Sequence, residues 1–337
     1  MNDLTDKSFQ TRAVHAGERV PSADFRPVTT PIWNTVGYLY DSMDDLDAVF
    51  DRKKPGQVYL RYSNPTVEAF ENAIANLENA EAAQAYGSGM AAIHAALLGA
   101  GVKAGTSIVA ALDVYGATFT LLNNLFANLG VTVRMVDVTD HDEVAQALTE
   151  TGAGVLYVES ISNPLLKVAD IPALAKLAHQ HNALLLVDNT FASPYLLNPM
   201  EHGADYVIHS ATKYLAGHGD VLAGVVATST ANKNKLFELN KLIGSVLGPF
   251  EAWLALRGLK TLPLRMRQQC DNALKVAEWL RTHPRITKVH FPGLPGHPQH
   301  DLAKQLFKGR GFGGVLSFEI DGADKDRVFR FMEALTI

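Results

Sequence analysis

Residues 183–219 read ALLLVDNTFASPYLLNPMEHGADYVIHSATKYLAGHG. Two short apolar runs, ALLLVDN at 183–189 and YVIHSA at 206–211, are separated by a connection carrying proline, glycine and polar residues. Runs of this length bounded by such residues read as strands buried on both faces. The first runs into DNTFASP and the second into HSATKYLAGHGD. In an open parallel sheet, Asp188 and Lys213 then both fall beyond carboxyl ends of strands, where ligands sit.

Working outward, the same alternation repeats. SIVAAL at 107–112, TVRMVDV at 132–138, GVLYVES at 154–160 and LAGVVAT at 222–228 read as further strands. Helical segments lie between them, and Asp140 and Asp170 stand where a side-chain oxygen caps the first turn. Repeated strand and helix define an α/β chain with a mostly parallel sheet covered on both faces. Before residue 58, Pro21, Pro27, Pro31 and Pro55 break any periodicity, which predicts an extended N-terminal arm over 1–57. Residues 58–248 form the large domain. From 249 the pattern changes to one long helix from about Phe250 to Leu280, the loop FPGLPGHPQH and the strand-like VLSFEI at 315–320. That predicts a smaller α+β domain over 249–337, and its abrupt last helix reads as an incomplete one.

Composition narrows the function. The 337 residues are 47% hydrophobic and 19% charged, with net charge −5, which gives no broad attraction to nucleic acid or anionic lipid. The N-terminus carries Asp3 and Asp6 and no long apolar stretch, so the expected compartment is the cytoplasm. The single cysteine, Cys270, sits at helical spacing and reads as a small buried hydrophobe.

The chemistry concentrates after the strands. Lys213 can condense with an aldehyde where apolar surroundings expose its free amine, and Asp188 can face a cationic ring nitrogen. Alone, a lysine after a strand is usually a solvated surface charge, and an Asp at a strand end is usually a cap. Their company matters: Ser210 and Thr212 bring two hydroxyls to the same turn, and GSGMAAIHAALL at 87–98 opens a helix whose first amides make a phosphate seat. Tyr115, after SIVAAL, can lie against an aromatic ring. A rival comes from Gly87, Gly89 and Ala92, which fit the dinucleotide pattern G-x-G-x-x-A, with Asp113 about 20 residues on as a ribose-binding acid of an NAD-binding oxidoreductase. It leaves the other strings unexplained, and the strand ahead of Gly87 is poor. His209, His218 and Asp220 are conceivable metal ligands, but no helix sets a chelating spacing and no metal site is assigned.

The strings TRAVHAG, YLRYSNPT, GSGMAA, DVYGAT, ESISNP, DNTFASP and HSATKYLAGHGD, in this order, resemble the Cys/Met-metabolism family of pyridoxal-phosphate enzymes. The resemblance runs from about residue 11 to the end and implies the fold-type-I, aspartate aminotransferase-like architecture. It implies pyridoxal 5'-phosphate held covalently by Lys213, Asp188 on its ring nitrogen, Tyr115 stacked on the ring and Asn163 near its phenolic oxygen. The phosphate would take the backbone of Gly89 and Met90 and the hydroxyls of Ser210 and Thr212. Tyr59 and Arg61 would reach the phosphate of a neighbouring subunit, which implies a homodimer with shared sites, paired into a homotetramer. The substrate would be a small amino acid and the reaction γ-elimination or γ-replacement. LNKLIGSVLGPFEAWLALRGLKTLPLRM resembles the cystathionine γ-lyase and γ-synthase branch. Homoserine-ester sulfhydrylases and methionine γ-lyases are the alternatives. The latter carry a cysteine where this chain has Ala117. The family's chains continue for several dozen residues and bear the substrate-carboxylate arginine there. An inactive cofactor-binding fragment is therefore a further expectation.

Overall fold

The computed structural model describes residues 4, 6–18, 27–51 and 53–336. Its centre is a seven-stranded sheet of β1 (Ala82–Tyr86), β2 (Ser107–Ala111), β3 (Thr132–Val136), β4 (Val155–Glu159), β5 (Leu184–Asp188), β6 (Tyr206–Ser210) and β7 (Gly224–Thr228). The order across it is β1-β7-β6-β5-β4-β2-β3. Strands β3, β2, β4, β5 and β6 run parallel, and β7 is antiparallel to both β6 and β1. Every residue of β4 and β7 is buried, as a sheet clothed on both faces requires. Two further strands, β8 (Ile286–His290) and β9 (Ser317–Ile320), pair antiparallel as a separate sheet. Phe291, Leu294, Ala273 and Ala277 make a small core of their own beside it.

The strands foreseen after residue 100 appear within about two residues of their expected bounds. Asp140 accepts the amides of Asp142 and Glu143, and Asp170 that of Ala173, so both caps form. Four features differ. The arm is not wholly extended: α1 (Phe9–His15) and α2 (Met43–Phe50) form within it, each started by a serine, Ser8 and Ser42, whose hydroxyl accepts an amide of the first turn. Pro21 lies outside the described residues. The run 250–280 is two helices, Pro249–Leu259 and Leu262–Thr282, because Pro263 opens the second one at its first turn. The poor strand ahead of Gly87 is real as β1, held between β7 and α3 (Pro65–Leu77) despite its alanines. β8 was not foreseen, since ITKVH reads as a half-exposed polar run.

The helix that shapes the site is α4 (Gly89–Gly99), GMAAIHAALLG. Its small residues let it lie close over β6 and β7. Ser88 caps it, its hydroxyl accepting the Ala91 amide at 3.1 Å. Cys270 is buried, as its spacing predicts, and burial pushes its thiol pKa up.

Candidate active site

Side chains alternate along a strand, so Tyr157 and Glu159 of β4, Asp188 of β5 and Ile208 and Ser210 of β6 share one face. α4 lies on that face, and between its start and the strand ends is a cavity of about 560 Å³. Its walls include Gly89, Met90, Tyr115, Asn163, Asp188, Ser210, Thr212 and Lys213. Eight of the expected residues thus meet in one place, coming from five separate stretches of chain.

Asp188, the last residue of β5, is 8% exposed. Its Oδ1 accepts from the Thr190 amide at 3.0 Å and the Thr190 hydroxyl at 2.5 Å, and its Oδ2 from the Tyr157 hydroxyl at 3.4 Å. Burial pushes its pKa up, while the two bonds from Thr190 pull it down. Beside it in register, Glu159 is 7% exposed and is pushed up to about 8 by burial and by Asp188. Donors from Thr190 and Tyr157 favour the charged form of Asp188, while burial and the neighbouring Asp188 favour the protonated form of Glu159.

Gly89 shows why the seat takes a glycine. A Cβ there would stand 2.8 Å from Ser210 Cβ and 2.9 Å from its Oγ, so the turn of α4 lies directly against the end of β6. Amides of a first helical turn, a strand-end hydroxyl and the positive helix end make a cradle for a phosphate. The Ser210 amide donates to Thr190 Oγ1 at 2.9 Å. Thr212 is partly committed: its hydroxyl donates to the Ala223 carbonyl at 3.3 Å and accepts the Ala223 amide at 3.1 Å.

Lys213 lines the cavity but is exposed rather than enclosed. It stands on the turn after β6, where its amide donates to the Ser210 carbonyl at 3.2 Å. Tyr115, 51% exposed, and Leu222 stand with it at the open rim. The apolar enclosure expected around the amine is therefore not a property of the single chain. Tyr59 and Arg61 lie away from the cavity. Arg61 donates to the Lys241 carbonyl, and its guanidinium sits 5.3 Å and 5.2 Å from the ring centres of Tyr59 and Tyr62.

The rival readings meet other partners. Asp113 is paired with Lys167 at 2.7 Å. Four strands stand between β1 and β2 in the sheet, so the segment from β1 through α4 to β2 is not the adjacent strand-helix-strand unit that a dinucleotide site needs. His209 Nε2 lies 2.6 Å from Glu78 Oε1 with both side chains buried, and His218 Nδ1 lies 2.7 Å from the Ala216 carbonyl. Among the described residues no group of three His, Cys, Asp or Glu is placed to hold a metal ion, and no helix is long and apolar enough to cross a membrane. Glu159 and Thr190 were not singled out from sequence. The signal for Glu159 was present, in that ESISNP follows a strand as DNTFASP does, but only pairing register sets the two acids side by side.

Known proteins resemble this chain over most of its length. An L-methionine gamma-lyase of Fusobacterium nucleatum is 42% identical over 315 residues, covering 93% of this chain and 78% of that one. The crystal structure of a cystathionine gamma-lyase from Lactobacillus plantarum, complexed with L-serine, superposes with a TM-score of 0.86 at 39% identity, covering 94% of this chain and 79% of that one. An O-acetylhomoserine (thiol)-lyase candidate of Campylobacter jejuni, whose structure carries a pyridoxyl-lysine phosphate, superposes with a TM-score of 0.86 at 29% identity, covering 93% of this chain and 85% of that one. The fold is thus that of a fold-type-I pyridoxal-phosphate enzyme. The chain belongs to the Cys/Met metabolism PLP-dependent enzyme family, whose pattern it matches over residues 10–337.

Proposed function

We propose that this enzyme catalyses γ-elimination or γ-replacement on a sulfur-linked or homoserine-derived amino acid, with cystathionine as the substrate or product. The single observation that carries the reading is a lysine, Lys213, in the same 560 Å³ cavity as the buried, hydrogen-bonded carboxyl of Asp188. The residues fit the cofactor: the seat between Gly89 and Ser210 suits its phosphate, and Asp188 suits a protonated ring nitrogen. When bound, pyridoxal phosphate supplies an aldehyde and an electron-withdrawing ring that stabilises negative charge on the substrate.

The chain's own groups do the rest. Lys213 would hold the cofactor, and its Nζ, when free, would move the proton from Cα and later from Cβ. Asp188 keeps its charge toward the ring nitrogen, and the carboxyl is fixed there by Thr190 and Tyr157. Tyr115 at the rim would cover the ring, and Asn163 on the wall would lie near its phenolic oxygen. Tyr59 and Arg61, outside their own chain's cavity, reach the phosphate of a second copy, giving a homodimer with shared sites that pairs into a homotetramer in the cytoplasm.

A cystathionine substrate is supported by the 39% identity to the Lactobacillus plantarum lyase and by the resemblance of residues 239–266 to that branch. Methionine γ-lyase is the second reading, favoured by the 42% identity of the Fusobacterium nucleatum enzyme, while Ala117 offers no thiol beside Tyr115. The test is turnover of purified protein on cystathionine, O-acylhomoserine with cysteine, and methionine. Release of cysteine and an oxo acid from cystathionine, or its synthesis from the ester, is expected. Methionine cleavage with no cystathionine chemistry overturns the finer reading. The Lys213→Ala protein is expected to lose its yellow colour and all turnover, and retained turnover refutes the site.

A further inference from the structure

Glu159 is a buried acid that the proposed chemistry leaves without a task. Its Oε1 accepts the Tyr115 amide at 2.6 Å and its Oε2 the Asn163 amide at 3.1 Å. One carboxyl at the end of β4 thus ties down two different loops. One carries the aromatic ring at the cavity rim, and the other carries the amide side chain on the cavity wall. We propose that Glu159 is a positioning residue that sets the gap between Tyr115 and Asn163 in which the cofactor ring lies. The inference rests on the cofactor reading of this cavity.

The chemistry of the contact selects the residue. Both partners are N–H donors, so the side chain must present two acceptor oxygens. A glutamate carboxylate presents both of its oxygens as acceptors. Glutamine turns one of those oxygens into an NH₂ and sets donor against donor. Holding a second acid beside Asp188 is electrostatically unfavourable, as the raised pKa of Glu159 records. Oε1 and Oε2 are otherwise spaced to join segments that begin 44 and 4 residues away, which no local turn residue can do. Asp188 is held by Thr190 and Tyr157 independently, so changing Glu159 leaves the ring-nitrogen contact in place while loosening what flanks the ring.

The experiment compares Glu159→Gln and Glu159→Asp with the unaltered protein, using pyridoxal phosphate as the titrant. Three quantities are read: cofactor affinity, circular dichroism of the bound chromophore per mole of cofactor held, and melting temperature of the cofactor-free protein. Glu159→Gln is expected to weaken binding on the order of tenfold, or ~1.4 kcal/mol, and to lower the dichroism per bound cofactor. Glu159→Asp keeps two acceptors on a shorter stem and is expected to recover part of the dichroism. Unchanged affinity and dichroism in Glu159→Gln overturn the proposal. So does a fall in melting temperature with normal dichroism, since that marks a structural tie alone. The Lys213→Ala protein run in parallel separates the two claims. If it keeps the covalent colour, the cavity reading itself fails. If it loses the colour while Glu159→Gln behaves as wild type, only the positioning role fails.

Discussion

Replacing Gly89 with alanine tests the phosphate seat most directly. The new methyl would lie 2.8 Å from Ser210 Cβ, 2.9 Å from its Oγ and 3.0 Å from its Cα. Carbon atoms rest near ~3.5 Å, so about 0.7 Å must be found somewhere. β6 cannot retreat easily. Ser210 is in register with Gly224 of β7, and a Cβ on Gly224 would itself stand only 2.1 Å from the Ser88 carbonyl. Helix start and two strands therefore close a wedge with no slack, and the first turn of α4 has to lift. Overpacking of this kind costs ~1–3 kcal/mol. Displacing one amide from a charged ligand costs about 1.5–3 kcal/mol more in binding, or roughly 10- to 100-fold in affinity. Gly154→Ala is the control, because nothing lies within 4 Å of its Cβ position, and a shift within about 0.5 kcal/mol is expected. Urea unfolding of the cofactor-free proteins and titration with pyridoxal phosphate give both numbers. A Gly89→Ala protein as stable as the parent, binding the cofactor equally well, refutes the geometry of the seat.

Three further outcomes follow from the same structure. Asp188→Asn retains an oxygen for Thr190 but not the charge, and turnover at saturating cofactor should fall roughly 100-fold, the scale of losing a preorganised electrostatic partner, with little change in melting temperature. Because Glu159 is pushed up to about 8 from an ordinary 4.5, the folded cofactor-free protein keeps a proton there that the unfolded chain releases. Its stabilising share is complete below the ordinary value and is lost as pH rises through 8, at no more than ~1.4 kcal/mol per pH unit. Denaturant midpoints measured across that window should decline in the parent and flatten in Glu159→Gln, and an equal slope in both counts against it. Glu78→Ala removes the acceptor that the buried side chains of His209 and Asn189 share and should destabilise by about 3–5 kcal/mol, read from urea unfolding.

Strands of Val, Ile and Leu between turn residues announced themselves, and with them the sheet and the ends where Asp188 and Lys213 fall. β1 did not, because AAQAY has neither branched residues nor alternation, and only β7 and α3 make it a strand. α1 and α2 were hidden among prolines, although Ser8 and Ser42 were local signals for them. Gly89, Ser210 and Thr212 were legible from their motifs, whereas the commitment of the Thr212 hydroxyl to Ala223 depends on where β7 returns. The placement of Glu159 beside Asp188 was hidden for a similar reason. Strand register, unlike strand identity, is a property of pairs. The exposure of Lys213 is likewise decided by the rim around it, formed by residues about 100 positions and about 10 positions away.

The pairing of Glu78 with His209 and Asn189 has an evolutionary corollary. Asn189 and His209 each follow a residue of the cavity face, Asp188 and Ile208, and so project to the opposite side of the sheet. The ends of β5 and β6 are thereby moored from behind, by groups that never meet a ligand. Substitutions on the catalytic side can then accumulate, altering which leaving group is accepted, while the backbone that presents them stays where it is. A family in which lyases and sulfhydrylases share one scaffold is what such a division of labour between two faces permits.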